Sequence, residues 1–305
     1  MTTFSLHLSP VIESFRDVDI SVSKRPLSYG ALDVSSRKDH TLEQWTTAED
    51  KSAFAAMQKG VRVWEKDGIE QYLIYGKSQS SKWELVPFHK PWTIVGRIWN
   101  QFLVLIRTVF GGAFLSASAK QMWHNKYKTA FQSDLKPQEQ CKQEIASDPF
   151  CTDETIEKQS VFEGKTVRIL YNYAPIGFGG ERLHFLIVPK LHKEKFSQLS
   201  EAEYIEACSL SRKLLQRLEE NRSVVEVHHY HKTGVDAGQT VPHWHMHVVV
   251  ITSKAQGFFG KLTVLKNMLI GSSPMKGDAL STKVKALQRE LEGLNGSFFA
   301  RFLAS

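Results

Sequence analysis

Residues 238–250 read GQTVPHWHMHVVV and place His243, His245 and His247 at every second position. Side chains in a β-strand alternate between two faces, so this spacing predicts a half-buried strand with three imidazoles on one face and Trp244 in the core. In a helix, His245 would point about 200° away from each of the other two histidines. The stretch therefore predicts a strand that presents three imidazoles to one site.

The three histidines also allow two alternatives to a shared site. They could be incidental, or a His-x-His pair could bind zinc together with a ligand from elsewhere in the chain. At a rise of about 3.3 Å per residue, however, His243 and His247 would lie roughly 13 Å apart. A single ion could therefore not bind all three histidines.

The loop before the histidines suits a phosphate. A neutral imidazole whose second nitrogen is held as N–H by an acceptor is a good nucleophile toward phosphorus. Backbone N–H groups of the turn at 238–241, together with the Thr240 hydroxyl, can take up phosphate charge. Gly238 lets a ligand approach the backbone closely. The pattern predicts nucleotidyl transfer through a phosphohistidine-type intermediate.

The surrounding segment has the pattern of a compact α+β unit. Ser200 and Glu203 form a capping box, which predicts the start of a helix that continues toward Asn221. Strands are predicted on either side of this helix, in a hairpin over residues 160–172 and in runs at 183–189, 223–230 and 243–251. The predicted order is strand, strand, strand, helix, strand, strand.

Three blocks of this segment resemble the histidine-triad (HIT) family. HWHMHVV follows the family's pattern of three histidines alternating with apolar residues, and LHFLIVPKLH at residues 183–192 resembles the family's strand that ends in Pro-Lys-x-His. DPFC at residues 148–151, followed by VFEGKTVRILYNYAP, resembles the start of many HIT domains. The blocks occur in the family's order, so residues 148–252 are similar to a HIT domain.

The resemblance implies a fold, a ligand and roles for particular residues. It implies a five-stranded antiparallel sheet with a helix packed on it, a purine-nucleotide site and a homodimer. His245 would attack the α-phosphorus, His247 would support the phosphate or the leaving group, and His243 would orient the nucleophile through its main-chain carbonyl. The remaining implied site residues are Gln239 and Thr240 at the phosphate, Asn172 at the ribose hydroxyls, and His184 near the pocket.

Two positions depart from the family pattern near the reacting groups. Lys232 stands where hydrolases of the family carry Asn or Gln, and its ammonium would act as a point charge unless it is a solvated loop residue. GFGGE at residues 177–181 is a longer connection than usual, and it is either a flexible turn or a phosphate loop. The third histidine is retained, whereas the transferase branches of the family replace it with glutamine. This difference favours hydrolysis.

A structural zinc site is a further open alternative. Asp148 replaces the first cysteine of the Cys-x-x-Cys pair found in some HIT proteins, but Cys151 and His192 remain. A histidine could complete such a site, or Cys151 could be a small buried residue. The sequence therefore assigns no metal ligand and no cofactor.

The whole chain has the composition of a globular protein. It has 305 residues, of which 42% are hydrophobic and 23% charged, and its three cysteines are too few for a disulfide framework. No secretory leader is recognisable, so we expect a cytoplasmic protein. The formal net charge of +7 favours anionic ligands but is too diffuse to indicate a specific nucleic acid.

The segments outside the HIT-like domain are predicted in less detail. Residues 1–147 are predicted to form a mixed or helical N-terminal extension with a poorly structured or loosely packed start over residues 1–45, and residues 253–305 a helical extension. The apolar stretch at 92–117 predicts a helix that is buried, contacts a partner or a membrane surface, or spans a membrane. In the C-terminal extension we expect helices at 258–269 and 281–294. No internal repeat is visible in the sequence.

Two functions from different classes follow from these patterns. The first is a hydrolase of nucleoside phosphoramidates or dinucleoside polyphosphates that works through a covalent nucleotidyl intermediate on His245 and releases a nucleoside monophosphate. The second is a non-catalytic nucleotide-binding or scaffolding module derived from the HIT fold. The departure at Lys232 and the apolar helix near residues 92–117 favour the second.

Overall fold

The computed structural model describes residues 10–89, 93–110, 112–133, 148–176, 182–253, 272–275 and 277–292. The strands in this part of the chain are β1 Val11–Ser14, β2 Val18–Val22, β3 Leu32–Ser36, β4 Tyr72–Lys77, β5 Lys82–Pro87, β6 Ser160–Glu163, β7 Val167–Tyr171, β8 Leu183–Pro189, β9 Val224–Thr233 and β10 Met246–Thr252. The helices are α1 Thr47–Lys66, α2 Ile94–Phe110, α3 Ala117–Phe131, α4 Asp153–Gln159, α5 Glu201–Glu219 and α6 Asp278–Leu291.

These strands form one antiparallel sheet in the order β1-β2-β3-β5-β4-β9-β10-β8-β7-β6. The order is symmetric about the β4–β9 pair and divides the sheet into two units of the same topology. The first unit contains β1 to β5 with α1, and the second contains β6 to β10 with α5. In each unit the helix follows the third strand. The chain therefore contains a structural repeat that its sequence does not display.

The two central helices begin in the same way. Thr46 caps α1 and Ser200 caps α5, and in each case a glutamate three residues later, Glu49 or Glu203, completes a capping box. Such a box satisfies backbone N–H groups that have no partner inside the first helical turn. The helix that the sequence predicts from Ser200 is therefore observed, and α1 is its counterpart in the first unit.

The sheet has ten strands rather than the predicted five. In an isolated second unit β9 would be an edge strand with unpaired backbone groups. Instead it pairs with β4, from Tyr72 opposite Thr233 to Lys77 opposite His228. Pairing removes an exposed edge, which otherwise favours aggregation. The predicted α+β class and the order of the strands in the second unit are correct, but the sheet continues into the N-terminal part.

The N-terminal part is more regular than the sequence suggests. The expected poorly structured start is wrong for residues 10–45, which contain β1, β2 and β3, whereas residues 1–9 lie outside the described residues. The predicted boundary at residue 147 also lies outside them, and the division of the chain at 147 and 252 stays a prediction.

The C-terminal part is described only at its second helix. The helix expected at 281–294 is observed as α6, Asp278–Leu291, and Val284, Leu287 and Leu291 bury its inner side in the core. The helix expected at 258–269 lies outside the described residues.

The two faces of the sheet are covered differently. Ile74, Leu85 and Val248 lie on one face, which we call the helical face because α1 and α5 pack on it and form the main core. Leu73 and Val249 lie on the opposite face with Val104 of α2, and we call this the α2 face. Every second residue of β9 and of β10 therefore points toward α2.

The apolar stretch at 92–117 contains α2, which ends at Phe110, and the chain then turns into α3. Val104 is buried against the sheet, whereas Ile94 and Trp99 are exposed, so the predicted helix is observed with one buried and one exposed side. None of the described helices is both long and apolar enough to cross a membrane.

The histidine segment enters the sheet later than predicted. The strand β10 begins at Met246, so His243 and His245 precede it and only His247 belongs to it. The N–H group of Trp244 donates to the carbonyl oxygen of Lys193 in a loop rather than to the ladder of the sheet. Because the segment leaves the sheet here, the three imidazoles do not form one continuous row.

Candidate active site

His247 lies on the α2 face, between two neighbouring strands. It is opposite Leu186 of β8 and opposite Tyr230 of β9. Its ring stacks on the ring of Tyr230, with centroids 4.4 Å apart, and its Nδ1 lies 2.8 Å from Nε2 of His184. The sheet therefore brings His184 and His247 together, and it adds Tyr230, which the sequence did not single out.

His245 is oriented by the backbone that precedes it. Its Nδ1 lies 2.7 Å from the carbonyl oxygen of His243. A carbonyl oxygen only accepts, so Nδ1 carries the proton and Nε2 keeps its lone pair. Phe150 packs edge-on against the ring, and burial lowers the pKa of His245 to about 4. The imidazole is therefore neutral at physiological pH and presents an unprotonated nitrogen.

A chain of hydrogen bonds determines the proton positions on His184 and His247. The N–H group of Ile176 donates to Nδ1 of His184 at 3.1 Å, so Nε2 of His184 carries the proton. That proton is donated to Nδ1 of His247, which leaves the proton of His247 on Nε2. Burial lowers the pKa of His184 to about 3 and holds that of His247 well below its usual value. His247 can therefore donate a proton as a neutral imidazole.

The glycine loop is held by internal hydrogen bonds. The N–H group of Gly238 donates to Val235, and that of Gln239 donates to Gly234. The Gln239 side chain accepts from the N–H group of Gly234 at 2.7 Å and donates to the carbonyl oxygen of Glu194 at 3.2 Å. These groups brace the loop and are not available to a phosphate in this arrangement. Thr240 is exposed, so among the predicted phosphate-binding residues of this loop it is the one that remains accessible in this structure.

Gly238 is required by its conformation and by its neighbour Lys232. Its φ of 86° lies in the left-handed region, and a Cβ at this position would lie 3.2 Å from Nζ of Lys232. Lys232 is a strand residue of β9 rather than a solvated loop lysine, and its Nζ lies 5.6 Å from the centre of the Tyr230 ring. Burial lowers the pKa of Lys232 to about 8. The structure thus places an ammonium group between the glycine loop and the ring that supports His247.

Asn172 is engaged with protein groups in this structure. Its Nδ2 lies 3.1 Å from Nδ1 of His184, and its Oδ1 accepts from the N–H group of Ala174. The predicted contact with ribose hydroxyls would require this amide to exchange partners. The observed contacts of Asn172 instead help to fix the position of His184. The loop predicted at 177–181 lies outside the described residues.

His243 points away from the other two histidines, into a cluster of possible metal ligands. Its Nε2 donates to the carbonyl oxygen of Pro189 at 3.1 Å, so Nδ1 is the nitrogen that faces the neighbouring groups. Asp148, Cys151 and His192 surround this Nδ1, and the four ligand atoms lie within 4.8 Å of one another. The fourth possible ligand of this cluster, His243, is the first histidine of the triad motif.

The four groups fit a zinc ion by their chemistry. The Oδ2 atom of Asp148 faces Nδ1 of both His192 and His243, the first at 2.6 Å, and it lies 3.1 Å from Sγ of Cys151. Burial and the Asp148 carboxylate raise the pKa of the Cys151 thiol to about 12. Two imidazoles, one thiolate and one carboxylate are a donor set that zinc accepts in tetrahedral sites. A bound zinc would tie the segment at 148–151 to the start of the histidine segment.

Two further residues lie near the site although the sequence did not single them out. Gln101 of α2 donates from Nε2 to the carbonyl oxygen of Asp236 at 2.9 Å, and Phe150 contacts His245. The register of β9 and β10 could have pointed to Tyr230, because it lies opposite His247. No sequence signal connects α2 with the glycine loop, because this contact joins the two units.

Comparison with known proteins identifies the segment that carries the histidines. Residues 153–253 match the family model of the HIT domain. No curated protein sequence matches the chain. The sequence-based identification of a HIT domain is therefore confirmed for this segment.

Similarity to solved structures extends over nearly the whole chain. A structure of uridylyltransferase has a TM-score of 0.53 and 12% identity, with 95% of this chain and 93% of that chain covered. A uridylyltransferase mutant has a TM-score of 0.51 and 13% identity, with 92% and 89% covered. A GalT-like protein from Arabidopsis thaliana has a TM-score of 0.50 and 12% identity, with 84% of each chain covered. At these identities the comparison shows a shared fold.

Proposed function

Because residues 153–253 form a HIT domain, we propose that this protein is a nucleotide hydrolase with His245 as its nucleophile. The proposed substrates are nucleoside phosphoramidates or dinucleoside polyphosphates, and the product is a nucleoside monophosphate. One observation carries the proposal. The bond from Nδ1 of His245 to the carbonyl oxygen of His243 leaves a neutral Nε2 with a lone pair beside His247.

The first step forms a covalent intermediate. The lone pair on Nε2 of His245 attacks the α-phosphorus, and the bond from phosphorus to the leaving amine or phosphate breaks. The proton on Nε2 of His247 moves to the departing group, which takes the electron pair of the broken bond. His184 donates a hydrogen bond to Nδ1 of His247 throughout this step. This step leaves a nucleotidyl group on His245.

The second step returns the enzyme to its starting state. Water attacks the same phosphorus, the nitrogen–phosphorus bond breaks, and His245 recovers its lone pair. The water gives its proton to His247, which regains the Nε2–H form. The Lys232 ammonium supports the charge that develops on the phosphate oxygens in both steps. The sum is hydrolysis with no net change in the histidines.

A second candidate is transfer of the nucleotidyl group to another phosphate instead of water. The similarity of fold to uridylyltransferase over 95% of the chain favours this candidate. The retained His247 favours water as the acceptor. Both candidates share the intermediate on His245, so they differ only in the second step.

The test separates the three functions in one series. The protein is mixed with adenosine 5′-phosphoramidate or diadenosine tetraphosphate, quenched in alkali within the first turnover, and mapped by mass spectrometry. Hydrolysis predicts adenylyl on His245 and one ¹⁸O in the AMP formed in labelled water. Transfer predicts the same adduct on His245. It predicts that AMP forms only when no phosphorylated acceptor is present or when the acceptor reacts slowly. Binding measured by calorimetry with neither adduct nor turnover would instead support a non-catalytic binding module.

Base preference and oligomeric state belong to the same proposal. We expect AMP to bind more tightly than CMP, which competition against turnover can measure. A homodimer is also expected from the HIT resemblance, although β9 already pairs with β4 within one chain. Sedimentation equilibrium would distinguish a monomer of two units from a dimer of such chains.

A further inference from the structure

The outer side of α2 is an apolar ridge. Ile94 is 68% exposed, Val95 76%, Ile98 60% and Trp99 56%. These positions follow the spacing i, i+1, i+4 and i+5, which places them on one side of the helix. Large apolar side chains that are contiguous and exposed indicate contact with another surface.

The inner side of α2 holds the helix in place without the ridge. Val104 is buried in the apolar cluster of the α2 face, and Arg107 donates from Nη1 to the carbonyl oxygen of Leu27 at 2.9 Å. Gln101 donates to the carbonyl oxygen of Asp236, next to the glycine loop. The ridge is therefore not needed to attach the helix to the sheet.

The sequence that contains the ridge carries basic residues and no acidic ones. Residues 85–133 contain no aspartate or glutamate but six lysines or arginines, so this stretch accounts for six of the formal net charge of +7. Arg97 lies in α2 between Val95 and Ile98, so its position on the helix is next to the ridge. Arg107 lies on the inner side, and Lys126 of α3 pairs with Asp67. Juxtaposed basic and apolar residues suit a surface that is anionic and has an apolar interior.

We propose that the ridge Ile94, Val95, Ile98 and Trp99 docks on the surface of an anionic bilayer. The helix lies in the interface rather than crossing it, because 17 residues that include two arginines do not span the hydrocarbon core. Trp99 suits the level of the head groups, and the aliphatic side chains suit the adjacent acyl region. Three of the four ridge residues are aliphatic and offer no flat ring surface to stack on bases, which disfavours single-stranded nucleic acid as the occupant.

Docking would reach the histidine site through the same helix. Gln101 connects the inner side of α2 to Asp236, and the Gly238 position lies next to both Gln101 and Lys232. A bilayer that fixes α2 therefore also fixes one wall of the glycine loop. Docking itself is independent of the proposed hydrolysis and is measured without turnover.

The experiment is co-sedimentation of the full chain with vesicles. One set contains phosphatidylcholine alone and the other an equal mixture of phosphatidylcholine and phosphatidylglycerol. We expect binding to the mixed vesicles that weakens as salt rises from about 0.05 to about 0.5 M, because the lipid charge is screened. The double variant Ile94→Glu/Ile98→Glu should bind the mixed vesicles at least about tenfold more weakly than the wild type. Both positions are exposed, so the variant should keep its fold.

A matched control and two rival outcomes complete the test. Val11→Glu changes an exposed apolar residue in β1, away from α2, and should bind vesicles as the wild type does. Quenching of Trp99 by brominated lipid should disappear in Trp99→Phe. No binding to mixed vesicles, or equal binding by the double variant, would overturn the proposal. So would self-association or oligonucleotide binding that the double variant abolishes in the absence of lipid.

Discussion

The two units share a topology but differ in what they place on the α2 face of corresponding strands. In the second unit β10 carries His247, with His245 just before it, whereas β5 of the first unit carries Lys82 and Glu84. Lys82 forms an ion pair with Asp33, at 2.6 Å. The first unit therefore has charged partners where the second has neutral imidazoles.

The environment of Glu84 shows what the first unit uses this position for. Its Oε1 accepts from the N–H group of Leu27 at 2.7 Å, and burial together with the neighbouring Asp33 raises its pKa to about 8. These contacts connect the strand to the loop before β3, so they stabilise the fold. The comparison teaches that one topology can hold neutral imidazoles in one unit and a charged, supporting pair in the other.

The largest expected difference between the units is in catalysis. His245→Ala removes the proposed nucleophile and should lower kcat/KM for adenosine 5′-phosphoramidate by roughly 10³-fold or more. A change in the corresponding strand of the first unit, Glu84→Gln, keeps an oxygen that can accept from Leu27 and should change kcat/KM by less than about threefold. Equal losses in both variants would mean that both units take part in the chemistry.

The metal cluster gives the next largest difference, because it belongs to the second unit. Cys151→Ala removes one of four ligands and should lower the bound zinc from about one per chain and the free energy of unfolding by about 2 kcal/mol or more. The control Cys208→Ala changes a buried cysteine of α5 outside the cluster and should keep its zinc. Metal content is measured by mass spectrometry and unfolding by denaturant titration. Wild-type protein without zinc after purification with zinc present would rule out the site.

The sequence predicted most of the second unit because its signals are local. The capping box at Ser200 and the strand patterns of β6 to β10 each depend on neighbouring residues, and the HIT motif adds their order. The strands β1, β2 and β3 of the first unit have four or five residues each, as β6 and β7 do, but no family motif accompanies them. The pairing of β4 with β9 has no local signal at all.

The site was predicted in part for the same reason. Alternation along a strand put His245 and His247 near each other, but it could not show that His243 turns toward Asp148 and Cys151. That turn depends on a bond from the backbone of Trp244 to Lys193, which is distant in sequence. The glycine loop likewise looked free to bind phosphate because its internal hydrogen bonds cannot be read from residue types.

His184 should have a smaller effect than His245, because it acts through His247 and is a positioning residue. His184→Ala removes the donor to Nδ1 of His247 and should lower kcat about 10- to 100-fold for a leaving group that needs a proton. For a leaving group that departs as a stable anion, the loss should nearly vanish. His184→Gln retains an N–H donor and should recover part of the rate. An equal loss for both leaving groups would indicate a structural role only.

The smallest expected effect concerns Lys232, and it appears in the pH profile. Because burial lowers its pKa to about 8, the ammonium is present below that pH and is lost as the pH rises through it. Wild-type kcat/KM should therefore fall above pH 8, whereas Lys232→Met should be about tenfold less active at pH 7 and lack this fall. Lys232→Arg stays charged and should move the fall to higher pH. In the first unit, burial alone would lower the pKa of Lys82, but the charge of Asp33 outweighs burial and the pKa is raised overall. Lys82→Met should therefore keep the wild-type pH profile even if it lowers stability. A fall above pH 8 that persists in Lys232→Met would assign the titration to another group and make Lys232 a packing residue.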